Sequence, residues 1–279
     1  IDYTLYSEKE KDQFFTNKDT ARYCYNKCHE ILKEWGVDLS DYTYIEPSAG
    51  DGSFYSLFPE DRRVGVDIEP RCDGVIQSDF LLWKPTTTKN ICLGNPPFGL
   101  RGNLALKFIN HAATFSDFVC FIVPQLFDSE GKGSCKSRVK GLNLIHNEVI
   151  DSGFYYPEGK EVNVNVVFQI WSKHHKIEKE DVNLDGIIKI YSLSDGGTPG
   201  STRNKKHLYN CDYYLPSTCF GKDNMKVYND FEKLPHRRGY GIVLLTHKDK
   251  INNIMNEIDW SNVSFTSTNG AYNLRFDII

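Results

Sequence analysis

Two habits of apolar spacing divide the first 172 residues. Ala21, Cys24, Cys28, Ile31, Leu32 and Trp35 recur at three, four and seven, which predicts an amphipathic helix capped by Thr16 or Asn17 and stopped at Gly36. Short β-branched or aromatic runs follow, at Tyr42–Ile45, Val64–Ile68, Val75–Ser78, Ile91–Leu93 and Phe118–Val123, with turn residues between them. Their lack of polar alternation predicts strands covered on both faces, as in a largely parallel sheet. A second helix is predicted over Asn103–Phe115, with Leu104, Phe108, Ile109 and Ala112 on one face. Asn147–Phe154 and Val164–Ser172 read as two strands pairing antiparallel at the sheet edge. Strand and crossover alternate in the order of a doubly wound α/β sheet, although Gly52–Glu60 leaves room for barely two helical turns.

After Lys173 the pattern weakens into charged residues, the turn-rich segment 194–204, lesser strands and one further helix at Lys248–Ile258. The expected organisation is therefore a sheet domain over 1–173 and a small α+β region over 174–279. At 279 residues, with 40% hydrophobic and 25% charged side chains, the chain has the make-up of a folded globular protein rather than a disordered or fibrous one. No apolar run approaches the roughly 20 residues of a membrane helix, no secretory leader is read, and a cytoplasmic location is expected. Eight cysteines without a C-x-x-C pair are read as reduced, mostly buried thiols. Cys24, Cys28 and His29 come nearest to a ligand set, but without a second pair core packing is preferred and no metal is expected.

Residues 1–171 carry 18 basic against 24 acidic side chains and 172–279 carry 15 against 13, so any basic footprint is local. Candidate chemistry lies instead at four strand ends. In IEPSAGDGSF (45–54), Gly50 and Gly52 allow a sharp bend, and Glu46, at the strand end, can bind a polar or cationic group. In VGVDIEP (64–70), Asp67, with Glu69 as the alternative, can accept hydrogen bonds from two ribose hydroxyls. In QSDFLLW (77–83), Asp79 suits an exocyclic amine and Phe80 an adenine ring, although taken alone the motif reads better as a capping Asp before a core Phe. In LGNPPFG (93–99), Pro96 and Pro97 stiffen a turn that offers the Asn95 side-chain oxygen, the Pro96 carbonyl and the flat face of Phe98. Together they suit a planar base with an amino group.

In this order the four motifs resemble those of the γ-arranged, S-adenosylmethionine-dependent DNA adenine-N6 methyltransferases, with N-P-P-F as catalytic motif. FFTNKDTA (14–21) resembles the family's cofactor-holding N-terminal motif, and FIVPQLF (121–127) and the segment 155–171 its later strands. The resemblance covers about residues 14–172 and implies a Rossmann-like class I methyltransferase sheet, mostly parallel with an antiparallel edge strand. It implies S-adenosylmethionine contacts from Phe15, Thr16, Glu46, Pro47, Ser48, Gly50, Asp67, Ile68, Asp79, Phe80 and Asn95. It further implies methyl transfer at Asn95, Pro96, Pro97 and Phe98, with Phe98 and Tyr156 stacking on a flipped adenine. Phe154 and Tyr155 stand beside Tyr156 as alternatives.

Short basic sets at Lys132, Lys136, Arg138 and Lys140, at Arg203, Lys205, Lys206 and His207, and at His236, Arg237 and Arg238 are candidate phosphate contacts. The expected partner is DNA, within restriction–modification, and a monomer suits modification of one base per event. RNA adenine methylation is the alternative, ahead of protein glutamine methylation and of a silent binding subunit.

Overall fold

The computed structural model describes residues 14–129, 134–178, 184–194, 205–232, 234, 238–266, 270–274 and 279. The chain divides into two compact units, Ile1–Glu178 and Lys179–Ile279. Among the described residues, no helix is long and apolar enough to cross a membrane.

The strands of the first unit are β1 (Phe15–Thr16), β2 (Thr43–Glu46), β3 (Arg63–Asp67), β4 (Val75–Gln77), β5 (Asn90–Gly94), β6 (Phe118–Pro124), β7 (Asn143–Ile150), β8 (Phe154–Tyr155), β9 (Glu161–Val162) and β10 (Val166–Ser172). Its helices are α1 (Lys18–Glu34) and α2 (Asn103–Ala112). Seven strands form one sheet in the order β4-β3-β2-β5-β6-β10-β7. β2 to β6 run parallel, and β10 lies antiparallel to both β6 and β7. Parallel strands whose order reverses between β2 and β5, followed by one inserted antiparallel strand, define the Rossmann-like class I methyltransferase fold. The antiparallel strand sits one place in from the edge, which is why every residue of β10 is buried. Its polar Gln169 is satisfied there by the Phe127 carbonyl at 3.2 Å and Asn147 Oδ1 at 2.8 Å.

Asn17 caps α1, its side chain accepting from the Thr20 amide at 2.8 Å, an interaction worth about 1 kcal/mol. The two helices cover opposite faces. Cys28 of α1 meets Cys120 of β6 at 3.4 Å, whereas Cys92 of β5, in register with the neighbouring Val119, meets Ser116 just past α2 at 3.2 Å.

Three local expectations need correction. β4 is not covered on both faces, because it is the edge strand and leaves Ile76 44% exposed. No α-helix forms in 52–62: two 3₁₀ turns, Tyr55–Leu57 and Glu60–Arg62, flank Pro59, which has no N–H to continue a helix. The run 147–154 is split by a turn, so Phe154 and Tyr155 leave the main sheet and pair with Thr16 and Phe15.

In the second unit β11 (Ile188–Ser194), β14 (Arg238–Leu244) and β12 (Tyr213–Pro216) form one antiparallel sheet. A second contains β13 (Thr218–Phe220), β16 (Ala271–Asn273) and β15 (Phe265–Thr266), and α3 spans Lys248–Glu257. Leu215, Ile242, Met255 and Trp260 lie in a core of its own.

Candidate active site

Because β2, β3, β4 and β5 run parallel, their carboxyl ends share one edge, and Glu46, Asp67, Ser78–Asp79 and Asn95 meet there. They line a cavity of about 430 Å³, within the range of cofactor-sized sites. Its walls include Phe15, Thr16, Glu46, Pro47, Ser48, Gly50, Asp67, Ile68, Asp79, Phe80, Asn95, Pro96 and Pro97.

The turn after β2 is drawn onto β3 by hydrogen bonds. The Gly50 amide donates to Asp67 Oδ2 at 2.7 Å, and the Glu69 amide donates to Oδ1 at 2.8 Å. Each Asp67 oxygen has a second lone pair, so the carboxylate can accept two further donors side by side. Gly50 is required twice over: its φ is +49°, and a Cβ there would lie 2.8 Å from the Phe15 ring.

Glu46 is 3% exposed and accepts the Tyr55 amide at 2.6 Å. Burial, reinforced by Asp51 and Asp67, pushes its carboxyl well above the usual carboxylate range, while the amides of Tyr55 and Phe54 act in the opposite sense. A cation beside it would relieve that desolvation. One Asp79 oxygen caps its own turn by accepting the Leu81 amide at 2.9 Å, and Phe80 stacks on Phe108 at 5.2 Å. Phe80 therefore combines the core role with a place in the cavity wall.

Asn95 follows β5. Its backbone carbonyl accepts from Ser48 Oγ at 3.0 Å, and its Nδ2 donates to Thr16 Oγ1 at 3.1 Å. Its Oδ1 is buried and has no hydrogen-bond partner, an arrangement that costs about 1–3 kcal/mol unless a ligand donor arrives.

A strap crosses from the chain's far side. β1, β8 and β9 form a three-stranded antiparallel sheet, and the Tyr155 hydroxyl donates to Asp51 of the glycine-rich turn. Burial, then Asp51, raises the Tyr155 hydroxyl to about 12, so it remains a donor at neutral pH. The Arg71 guanidinium lies 5.2 Å over the Phe15 ring.

Several sequence expectations change. Phe98 does not line the cavity: it is 7% exposed, with Phe14 edge-on at 4.9 Å, so Phe14 presents the ring edge there. Tyr156 also lies outside the cavity wall, at a hairpin turn where its amide donates to the Lys160 carbonyl at 2.8 Å; Tyr155 lies outside it too, its hydroxyl donating to Asp51 of that wall. Arg138 is committed to bracing its loop, donating to the Ser134 carbonyl, Asn103 Oδ1 and Cys135 Sγ. Lys140 is exposed and Lys136 partly so. Lys132, Arg203, His236 and Arg237 lie outside the described residues, as do the side chains of Lys205 and Lys206, and Arg238 opens β14 of the second unit. His29 is held within the fold, its ring nitrogens 2.9 Å from the Tyr25 carbonyl and 2.8 Å from the Tyr44 hydroxyl.

Sequence reasoning missed Phe14, Asp51, Arg71, Leu104, Lys107 and Phe108 in the wall. The last three lie at i, i+3 and i+4 on α2, so the apolar face already assigned to the core pointed there.

The donor carried by class I methyltransferases, S-adenosylmethionine, can be tested against this cavity. It needs an anion for an ammonium group, paired acceptors for vicinal hydroxyls and an apolar slot for a purine. Glu46, Asp67 and the Ile68–Phe80–Phe108 wall meet those needs, so the residues fit.

Comparison with known proteins finds partial similarities. The chain is 40% identical over 79 residues to the Type II methyltransferase M.TthHB8I of Thermus thermophilus, covering 24% of this chain and 18% of that protein. It is 31% identical over 111 residues to the Type II methyltransferase M.CvrRI of Paramecium bursaria Chlorella virus XZ-6E, covering 34% and 27%. The matches thus span only 18% and 27% of the length of these curated relatives. Among solved structures, PH1948 of Pyrococcus horikoshii, a candidate RNA methyltransferase, superposes with a TM-score of 0.45 at 17% identity, over 61% of this chain and 91% of that one. No family model matches the chain.

Proposed function

We propose that this chain is an S-adenosylmethionine-dependent methyltransferase acting on the N6 amine of adenine in DNA. The observation that carries the reading is the buried, unpartnered Asn95 Oδ1, held on a proline-stiffened turn in the wall of the cavity that also contains Asp67 and Glu46. The two curated relatives are both named Type II methyltransferases, which supports DNA as substrate.

When bound, S-adenosylmethionine supplies a methyl group already activated on a sulfonium. The chain has to supply orientation. An adenine amine is a poor nucleophile because its lone pair is delocalised into the ring. Asn95 Oδ1 accepts one amine hydrogen and the Pro96 carbonyl the other, favouring a pyramidal nitrogen whose lone pair is free to attack. Ser48 and Thr16 hold the Asn95 main chain and side chain for that contact. The transferred amine loses its extra proton to solvent, and no strongly basic side chain is required. Phe98 supports Phe14 from behind, and Phe14, which lines the cavity, serves as the ring that meets the base.

Asn95→Ala should lower methyl transfer by about two to three orders of magnitude while S-adenosylmethionine affinity stays within a few-fold. The assay uses tritiated methyl transfer to duplex DNA, single-stranded DNA, RNA and protein extract, followed by nucleoside analysis. Label only in RNA, only in protein, or at a nucleoside other than N6-methyladenine would reject the reading, as would an Asn95→Ala enzyme with full activity.

A further inference from the structure

Two residues past Phe98 the chain exposes Leu100, 81% accessible, between residues that line the cavity, Gly99 on one side and Leu104 on the other. An exposed leucine is common on protein surfaces; one mounted on a forced turn is not. Gly99 has φ +64°, and a Cβ there would lie 2.6 Å from Leu104 Cβ. Arg101 adopts φ +53°, a left-handed conformation that a residue with a side chain adopts at a cost and only when its surroundings impose it.

Those surroundings are visible. The Gly102 amide donates to the Gly99 carbonyl at 3.1 Å, and Asn103 Nδ2 to the Leu100 carbonyl at 3.0 Å. The Phe98 carbonyl accepts the amides of Leu104 and Ala105, and Cys135 Sγ donates to the Arg101 carbonyl at 3.4 Å. Arg138 locks the assembly by bonding both Asn103 and Cys135. The Leu100 side chain therefore stands on a braced pedestal. The turn carries Arg101, exposed, and Lys107 of α2 lies in the cavity wall. Cations at the rim suit phosphates on either side of an apolar point.

We propose that Leu100 is a wedge that enters duplex DNA beside the target adenine and fills the gap left when that nucleotide is drawn into the cavity. The inference rests on the DNA-methylating reading above. Extruding a base from a duplex breaks stacking on both its faces, and an apolar side chain inserted between base steps replaces part of that contact. A soft or mobile tip would forfeit the gain to ordering, so the braced turn is what the task needs. A single strand presents no intact stack, so Leu100 contributes little there.

The test compares wild-type enzyme, Leu100→Ala and Leu100→Met on unmodified high-molecular-weight duplex DNA and on the same DNA heat-denatured, reading kcat/KM for tritiated methyl transfer. Leu100→Ala is expected to lose about tenfold on duplex and less than about twofold on denatured DNA, with S-adenosylhomocysteine affinity unchanged. Leu100→Met, which keeps an apolar tip, should restore most of the duplex activity. Equal losses on the two substrates, or no loss on duplex, would overturn the wedge while leaving DNA methylation intact. Failure of the wild-type enzyme to label either DNA would instead overturn the proposed function, and the wedge with it.

Discussion

Glu46 is a carboxyl whose charged form the protein itself disfavours. Its raised value in the free site has a definite sign of consequence. Because burial favours its neutral form, it contributes stability that is complete below the ordinary carboxylate range and is lost as pH climbs through the raised value. A ligand ammonium favours the carboxylate, so binding expels a proton. S-adenosylhomocysteine affinity should therefore rise by up to about tenfold per pH unit below the raised value and then level off. Calorimetric titration in two buffers of different ionisation heat should detect the proton released. Glu46→Gln should bind more weakly and with a flat pH profile; a retained pH slope would place the titrating group elsewhere. Asn95 shows the complementary case, where the fold leaves an acceptor unmet rather than a charge unpaired. The placement of both residues at strand ends was legible in the sequence, because each closes a run of strand-forming residues at a turn. Their electrostatic state was not, since it depends on burial and on Asp67 and Thr16 arriving from other parts of the chain.

Among the elements, the five central strands could be read because continuous apolar runs such as 118–123 have few ways to be satisfied outside a covered sheet. The strap was invisible. Two-residue strands such as β1 and β8 carry no periodicity, and their pairing spans about 140 residues of chain. Phe98 was misplaced for the same reason, because Phe14, which covers it, belongs to the segment leading into that strap. The strap predicts a binding phenotype. Tyr155→Phe removes the donor to Asp51 without removing the ring against Phe15, and should weaken S-adenosylhomocysteine binding by about tenfold. Circular dichroism should show an unchanged fold. Wild-type affinity in that variant would mean that the strap does not close on the ligand.

For the whole molecule, each unit buries its own apolar cluster, so each has its own basis for cooperative unfolding. Every cavity residue belongs to the first. Differential scanning calorimetry should resolve two components, and S-adenosylhomocysteine at about 100 times its Kd should stabilise one of them by about 2.7 kcal/mol. A single endotherm moving as a whole would contradict this independence. The internal pairing of the second unit was not legible, because its strands β11, β14 and β12 pair across long stretches of intervening chain rather than through short hairpins.

The hydrogen bond between Tyr155 and Asp51 also has a temporal side. During synthesis the glycine-rich turn emerges from the ribosome about a hundred residues before the tyrosine that pins it. Until then the nascent chain has all the parallel strands of the sheet but nothing from β8 to hold Asp51. The newborn protein can thus gather its framework early and pin that turn only late, after nearly all of the first unit has been made.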